Sequence, residues 1–237
     1  MSLPLGVILA GGRARRMGGR DKPTRLLAGR PLIAHVIARL APQTDGFAII
    51  APATLPGFAA SDAPIVPDPP EFAGQGPLAG VLAGLDFALA RGHRAIVTAP
   101  ADTPFLPQDL VRGLRAAAYA KSTGTETTGP AYAETRYAAA RAAQSASPDA
   151  PESNPQNAPE KDPERYAAHP VCALWPVALR DALHRALVAG QNGVGAFLDA
   201  AGAARIAFPE AGLDPFFNIN TDADLVRAAA MLQGRAL

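Results

Sequence analysis

Between Gly11 and Arg30 the chain gathers Arg13, Arg15, Arg16, Arg20, Lys22, Arg25 and Arg30 against one acid, Asp21. Seven cations against one anion leave this stretch at +6, while the whole 237-residue chain carries only +1. Gly11, Gly12, Gly18 and Gly19 lie in the first half of the same stretch, and without a Cβ they let backbone N–H groups approach an anion closely. A small, strongly cationic, glycine-rich pocket is chemistry for a polyphosphate. The alternative is a solvated arginine-rich loop, but long loops in compact domains usually carry function. Lysine usage points the same way. Lys121 and Lys161 fall in a polar tract described below, so Lys22 is the one lysine elsewhere, in a chain that otherwise uses arginine. An ammonium group offers phosphate a compact point charge that a planar guanidinium does not.

Two carboxylates complement the loop: Asp68, closing IVPD, and Asp102, in PADTP. Magnesium takes one or two carboxylates and fills its shell with water and substrate phosphates, so either aspartate suits it. Each also precedes proline and could be an Asx-turn residue. Other candidates are plainer. Cys172 and Trp175 sit in an apolar run and read as core, while His35, His93 and His184 fall on or beside helical stretches. His169, taken alone, is a strand-edge residue. No Ser–His or Cys–His constellation is evident. The loop lacks aromatics to stack bases, which argues against nucleic acid as a partner. Two phosphate motifs fail: Arg16, not glycine, stands six before Lys22, excluding GxxxxGK[ST], and the glycines are paired as GG…GG, excluding GxGxxG.

These residues must be held by a scaffold, and the apolar pattern supplies one. Leu5–Ala10 is a continuous apolar run of strand length, buried on both faces. After the cationic loop, Leu32, Ile33, Val36, Ile37 and Leu40 recur at helical spacing behind Pro31. Phe47–Ala51, Ala63–Val66, Arg94–Ala99 and Val171–Trp175 read as strands. Leu78–Arg91, Leu106–Tyr119, Val177–Ala189 and Val194–Ala201 read as helices. Arg205–Phe208 and Phe216–Ile219 read as closing strands, and Thr221–Met231 as a terminal helix with an N-cap hydroxyl and first-turn carboxylates Asp222 and Asp224. Alternation of this kind builds an α/β sandwich with a mostly parallel sheet.

One segment breaks the pattern. Lys121–Ala168 has no Val, Ile, Leu, Met, Phe, Trp or Cys and holds six prolines, so it cannot offset its ordering entropy by burial. The expectation is a single domain over residues 1–237 with a disordered polar insertion at about 121–168, in which Ala138–Ala143 could form a turn or two of helix. Net charge of +1 and a pI near 8.0 exclude a generally basic coat. No apolar run reaches membrane-spanning length, and a lone cysteine suits a reducing, cytoplasmic setting.

Leu9–Lys22, LAGGRARRMGGRDK, resembles the nucleotidyltransferase signature of the molybdenum cofactor guanylyltransferase family, LAGG-x-x-x-RMGG-x-DK, at every defined position. Pro31–Gln43, Gly76–Leu85 (GPLAGVLAGL), Pro100–Pro107 (PADTPFLP), His169–Pro176 (HPVCALWP) and Asn218–Leu225 (NINTDADL) are similar to that family as well. The resemblance implies a Rossmann-like three-layer fold and an enzyme that joins GMP from GTP to molybdenum–molybdopterin cofactor, releasing pyrophosphate. It implies that Leu9, Ala10, Gly11 and Gly12 wrap guanine and ribose, with Lys22 on the phosphates and Arg16 nearby. Asp68 then helps hold the nucleotide and Asp102 binds Mg²⁺. Gly76, Gly80, His169, Asn218 and Asn220 face the pterin. Two departures stand out: Ala51 replaces an asparagine common in the family at a nucleotide-contacting position, and Pro23 follows Lys22 directly.

The competing readings are a CTP-dependent molybdopterin cytidylyltransferase, against which Gly11 speaks, and a non-catalytic GTP-binding handover protein, which has no need of Lys22 and Asp102 together. The partners implied are GTP, the molybdopterin substrate, other cofactor-assembly proteins and recipient molybdoenzymes. Nucleic acid and membrane are not among them.

Overall fold

A computed structural model describes residues 2–11, 22–52, 63–121, 129–137, 165–210 and 213–234. In chain order its strands are β1 (Leu5–Leu9), β2 (Leu26–Leu27), β3 (Arg30–Pro31), β4 (Phe47–Ile50), β5 (Ile65–Val66), β6 (Ala95–Pro100), β7 (Ala131–Tyr137), β8 (Arg165–Pro176) and β9 (Ala204–Pro209). Its helices are α1 (Leu32–Leu40), α2 (Pro77–Leu89), α3 (Leu110–Lys121), α4 (Arg180–Val188), α5 (Val194–Ala200) and α6 (Asp222–Gln233). Seven strands form one sheet in the order β5-β4-β1-β6-β8-β7-β9, and β2 and β3 form a separate small hairpin. All neighbours pair in parallel except across β8, which is antiparallel to both β6 and β7. The sheet is thus mostly parallel, as the alternation of elements predicts.

The strands are apolar on both faces because both faces are covered. Ile8, Ile49, Val97 and Leu174 pack against α1 and α3 through Val36, Leu40, Leu110 and Leu114. Val7, Ile50, Ile96 and Trp175 pack on the other side against α2, α4 and α5 through Leu82, Leu85, Leu187 and Phe197. Adjacent residues of one strand therefore serve different cores, which is the period of two at work. A third cluster joins Leu27 of the hairpin, Leu32, Phe105, Leu213, Ile219 and Ala228 of α6. No helix among the described residues is long and apolar enough to cross a membrane.

Two sequence expectations change. Phe216–Ile219 is not a strand: it is a turn and extended chain leading into α6, held by side-chain and single backbone bonds rather than a ladder. The polar tract is also not one insertion from 121 to 168. Its residues 131–137 form β7, inserted between β8 and β9, and β8 begins at Arg165. The cause is alanine. Ala131, Tyr132 and Ala133 are all buried: the two alanines lie under α3, which packs closely over them, while Tyr132 faces the opposite core. Such a strand has no large aliphatic signal to read. Residues 138–164, including Ala138–Ala143, lie outside the described residues.

Removing residues 141–161 and closing the gap with a short Gly–Ser link leaves β7 and β8 whole. The melting temperature is expected to stay within about 2 °C of the parent, since loop closure depends only weakly on length. Removing Ala131–Tyr137 instead is expected to abolish the cooperative transition, and circular dichroism melts distinguish the two.

Candidate functional site

The chain leaves β1 and passes to β4 on one side, then later reaches β6 on the other. The chain thus adds strands first on one side of β1 and then on the other, and this switch in strand order opens a crevice at the carboxyl ends of the parallel strands β1 and β6, where open α/β sheets bind ligands. Leu9 is level with Ile50 of β4 and with Pro100 of β6. Backbone bonds continue past the strand ends: Ala10 N donates to Ile50 O at 2.8 Å, Ala101 N to Leu9 O at 3.0 Å, and Ala51 N to Val66 O at 3.1 Å. Leu9 and Ala10 are thereby fixed at the lip of the crevice, and Asp102 follows directly on Ala101 just past the end of β6. The Ala51 amide is already engaged, so a ligand at that position can use only its carbonyl oxygen.

Asp68 lies beyond β5. Burial pushes its carboxyl above the ordinary aspartate range, and a hydrogen bond from the Gly74 backbone works in the opposite direction. That donor is six residues away, so Asp68 ties down a loop rather than closing a local Asx-turn. Gly76 caps α2 at φ +101°, a conformation that glycine alone adopts readily. One turn on, a Cβ at Gly80 would stand 3.0 Å from Leu9 Cδ2 and 3.5 Å from Asp68 Oδ1. Gly80 thus lets α2 press against Leu9, Ile50 and Asp68.

The other side of the site is built around Asp102. Its Oδ1 is shut off from solvent, and its carbonyl oxygen accepts Ile219 N–H at 3.0 Å. That bond places the exposed Asn218 and Asn220 beside the end of β6. Upstream, Asp214 accepts Phe216 N–H at 2.9 Å, an Asx-turn that starts the segment. Phe216 then stacks on His169, with ring centroids 4.6 Å apart and planes at 23°. Burial lowers the His169 pKa from the usual imidazole value, opposed by the Asp214 charge.

A bulge aims His169 at Phe216. Tyr132 of β7 pairs with Ala173, yet Ala133 pairs with His169, leaving Pro170, Val171 and Cys172 over on β8. Pro170 has no N–H to lose, so it tolerates this position. The Val171 carbonyl, carried out of the ladder, accepts the Thr98 hydroxyl at 2.7 Å, and Trp175 Nε1 donates to Thr98 Oγ1 at 2.9 Å. Thr98 and Trp175 are fully buried and satisfy each other. Cys172 is also buried, and burial raises its thiol pKa, so it behaves as core.

Among the loop cations, Arg25 pairs with Asp222 at the start of α6, which ties the end of the cationic stretch to the asparagine-bearing segment. His35 Nε2–H donates to Leu27 O at 2.9 Å and steadies the β2–β3 hairpin. Lys22 opens a short 3-10 turn, Lys22–Thr24, in which Pro23 is buried and acts as an anchor. Gly12 and Arg16 lie outside the described residues, as does the Lys22 side chain. Sequence reasoning overlooked Thr98, Asp214, Phe216 and the Arg25–Asp222 pair. Only the Asp214–Pro215 dipeptide, a turn signal, could have flagged any of them.

A Rossmann-like sheet with its crevice between β1 and β6, a cationic glycine loop leaving β1 and a carboxylate beyond β6 define a nucleotidyltransferase. Residues 6–205 match the MobA-like NTP transferase domain, and the chain belongs to that family. It is 41% identical to a molybdenum cofactor guanylyltransferase of Bradyrhizobium sp. (strain ORS 278) over 227 residues, 94% of this chain and 90% of the relative. It is 38% identical to one from Cereibacter sphaeroides over 228 residues, 96% of each. The crystal structure of molybdopterin-guanine dinucleotide biosynthesis protein A from Archaeoglobus fulgidus shares the fold, with a TM-score of 0.63 at 21% identity, covering 97% of this chain and 98% of that one.

Two substitutions test this construction. Thr98→Val keeps the shape but strands the Val171 carbonyl and Trp175 N–H, so about 2 kcal/mol of stability is expected to be lost. A calorimetric Tm roughly 4–8 °C lower would record it. For His169 the folded pKa lies below the unfolded one. As pH falls below about 6.5 the unfolded chain therefore takes up a proton that the folded chain refuses, and stability drops. Urea midpoints at pH 7.5 and 5.5 should show that drop in the parent and a smaller one in His169→Gln.

Proposed function

We propose that this chain transfers GMP from GTP to molybdenum–molybdopterin cofactor, forming the guanine dinucleotide cofactor and pyrophosphate. The observation that carries the reading is the setting of Asp102. It follows Ala101, whose N–H is bonded to the Leu9 carbonyl of β1, and is bonded through its own carbonyl to Ile219 between Asn218 and Asn220, which supports one residue bordering both halves of a two-substrate site. The names borne by the full-length relatives agree with it.

In the transfer, an oxygen on the terminal phosphate of the pterin substrate attacks the α-phosphorus of GTP. A new P–O bond forms there, the bond to the oxygen bridging to the β-phosphate breaks, and pyrophosphate leaves with the electron pair. Such chemistry rests on positioning and charge neutralisation, and needs no covalent nucleophile. In this proposal the backbone of Leu9, Ala10, Gly11 and Gly12 embraces guanine and ribose. Lys22 and Arg16 neutralise the phosphates, and Asp68 helps hold the nucleotide. Gly76 and Gly80 shape the loop and helix beside it, and His169, Asn218 and Asn220 meet the pterin.

A Cβ at Gly11 would come no nearer than 3.9 Å to another described residue, at the Ile50 carbonyl. The described part of the fold therefore does not demand glycine there, and close approach of a ligand explains it. Asp102, a hard oxygen donor in the crevice, fits Mg²⁺, which takes few protein carboxylates when phosphates supply the rest. Bound there, the ion would offset charge on the α-phosphate and the leaving pyrophosphate. The buried lone cysteine suits a reducing, cytoplasmic setting. The product would pass on to recipient molybdoenzymes.

Incubation with Mg²⁺, molybdopterin substrate and each of the four NTPs in turn tests the reading. Pyrophosphate release with GTP alone is expected, and release with CTP instead would install the cytidylyl alternative. In the same assay Asp102→Asn is expected to lose activity at least a hundredfold, on the order of one lost charge-stabilising contact at a transition state. Its melting temperature and metal-free GTP binding should be unchanged. Near-normal Mg²⁺-dependent turnover would remove Asp102 from the metal.

A further inference from the structure

Asn220 sits between two anchors. On one side the Ile219 amide is bonded to the Asp102 carbonyl at 3.0 Å. On the other, Asp224 Oδ2 accepts two backbone N–H groups, from Thr221 at 2.9 Å and from Asn220 at 3.0 Å, while Asp224 N donates to Thr221 Oγ1 at 3.1 Å. The Thr221 bonds make up a capping box, in which the N-cap hydroxyl and the N3 carboxylate satisfy each other's backbone amides. The Asn220 bond is not part of that box. It reaches outside the helix to the residue before the cap, whose amide is exposed chain and could be satisfied by water. Capping α6 does not require it. What it does is fix the peptide plane between Ile219 and Asn220, next to the Asn218–Ile219 peptide that the Asp102 carbonyl holds through Ile219 N–H. Partial burial works against the ionised form of Asp224, but the bonds from Thr221 and Asn220, with Arg227 nearby, outweigh it and keep the carboxyl below its usual range.

We infer that Asp224 is a positioning residue for the transfer, holding the Asn220 peptide in register with Asp102 so that the asparagine meets the pterin substrate. This rests on the guanylyltransferase reading above. Asp224 touches neither substrate and acts through Asn220. Its loss should therefore alter use of the pterin substrate and leave use of GTP alone, a division that a helix cap by itself does not produce.

The test is steady-state pyrophosphate release by the full chain, with GTP and molybdopterin substrate varied separately, alongside thermal melts. Asp224→Ala is expected to raise KM for the molybdopterin substrate about tenfold, with KM for GTP changed less than about twofold. Thr221→Ala removes the hydroxyl of the capping box but keeps both N–H bonds to Asp224. It should lower the melting temperature comparably and leave both KM values in place. Asp224→Glu retains a carboxylate at a position where glutamate also serves in capping boxes, and should recover most of the loss. If the alanine variant does not fold, Asp224→Asn, with one carbonyl acceptor and no charge, should show a smaller shift in the same KM. An unchanged molybdopterin KM in Asp224→Ala or Asp224→Asn, or equal shifts in Asp224→Ala and Thr221→Ala, would leave Asp224 a cap and overturn the inference while the guanylyltransferase reading stands. A parent protein that releases no pyrophosphate with GTP and molybdopterin would overturn both.

Discussion

Everything in the site follows from β1 being a parallel strand paired on both sides. Its amides and carbonyls are taken up by β4 and β6, so the chain can turn only past Leu9, at the edge where its neighbours also end. Three chain segments are forced to diverge there, and the gap between them is the crevice. The glycine-rich, cationic stretch follows β1 in the sequence, directly after this edge. Asp102 is placed there because β6 ends one ladder rung away.

The segment 214–220 is assembled differently, from residues that no ladder holds. Asp214, Phe216, Ile219 and Asn220 lie on irregular chain, and specific contacts hold them, among them a carboxylate to an amide, a ring on a ring, an amide to the Asp102 carbonyl, and an amide to Asp224. The bulge in β8 supplies the ring. Displacing three residues from the ladder strands a carbonyl inside the protein, where it would cost a few kcal/mol, and the Thr98–Trp175 pair offsets that cost. Phe105, Leu213 and Ile219 pack with α6 and the β2–β3 hairpin behind this segment, so irregular chain rests on a solid floor.

How much of this was legible in the residues depends on where large aliphatics fall. β1, β4, β6 and the amphipathic face of α1 announce themselves through Val, Ile and Leu at periods of two and 3.6, and the parallel core was readable from them. The Thr221–Asp224 cap was readable too, because capping chemistry is local. β7 was not, since its buried positions are alanines and one tyrosine, which look polar or neutral in composition. Phe216–Ile219 misled in the opposite sense: its apolar residues serve a cluster at the end of the sheet, not a strand in it. The cationic loop pointed to phosphate through charge alone, but charge could not say that Arg25 is engaged with Asp222. Long-range pairing of that kind is set by the fold and leaves no local trace.

The placement of Cys172 gives the molecule a built-in clock. It is the one thiol in the chain, 2% exposed, at the bulge behind His169 and within the field of Asp102 and Asp214, and burial suppresses its thiolate. A thiol-reactive dye can reach it only when β8 opens, so the rate of labelling reads out the breathing of the sheet at the β8 bulge. Ligands that tighten that region slow the reaction, and each can be followed without engineering a label into the protein.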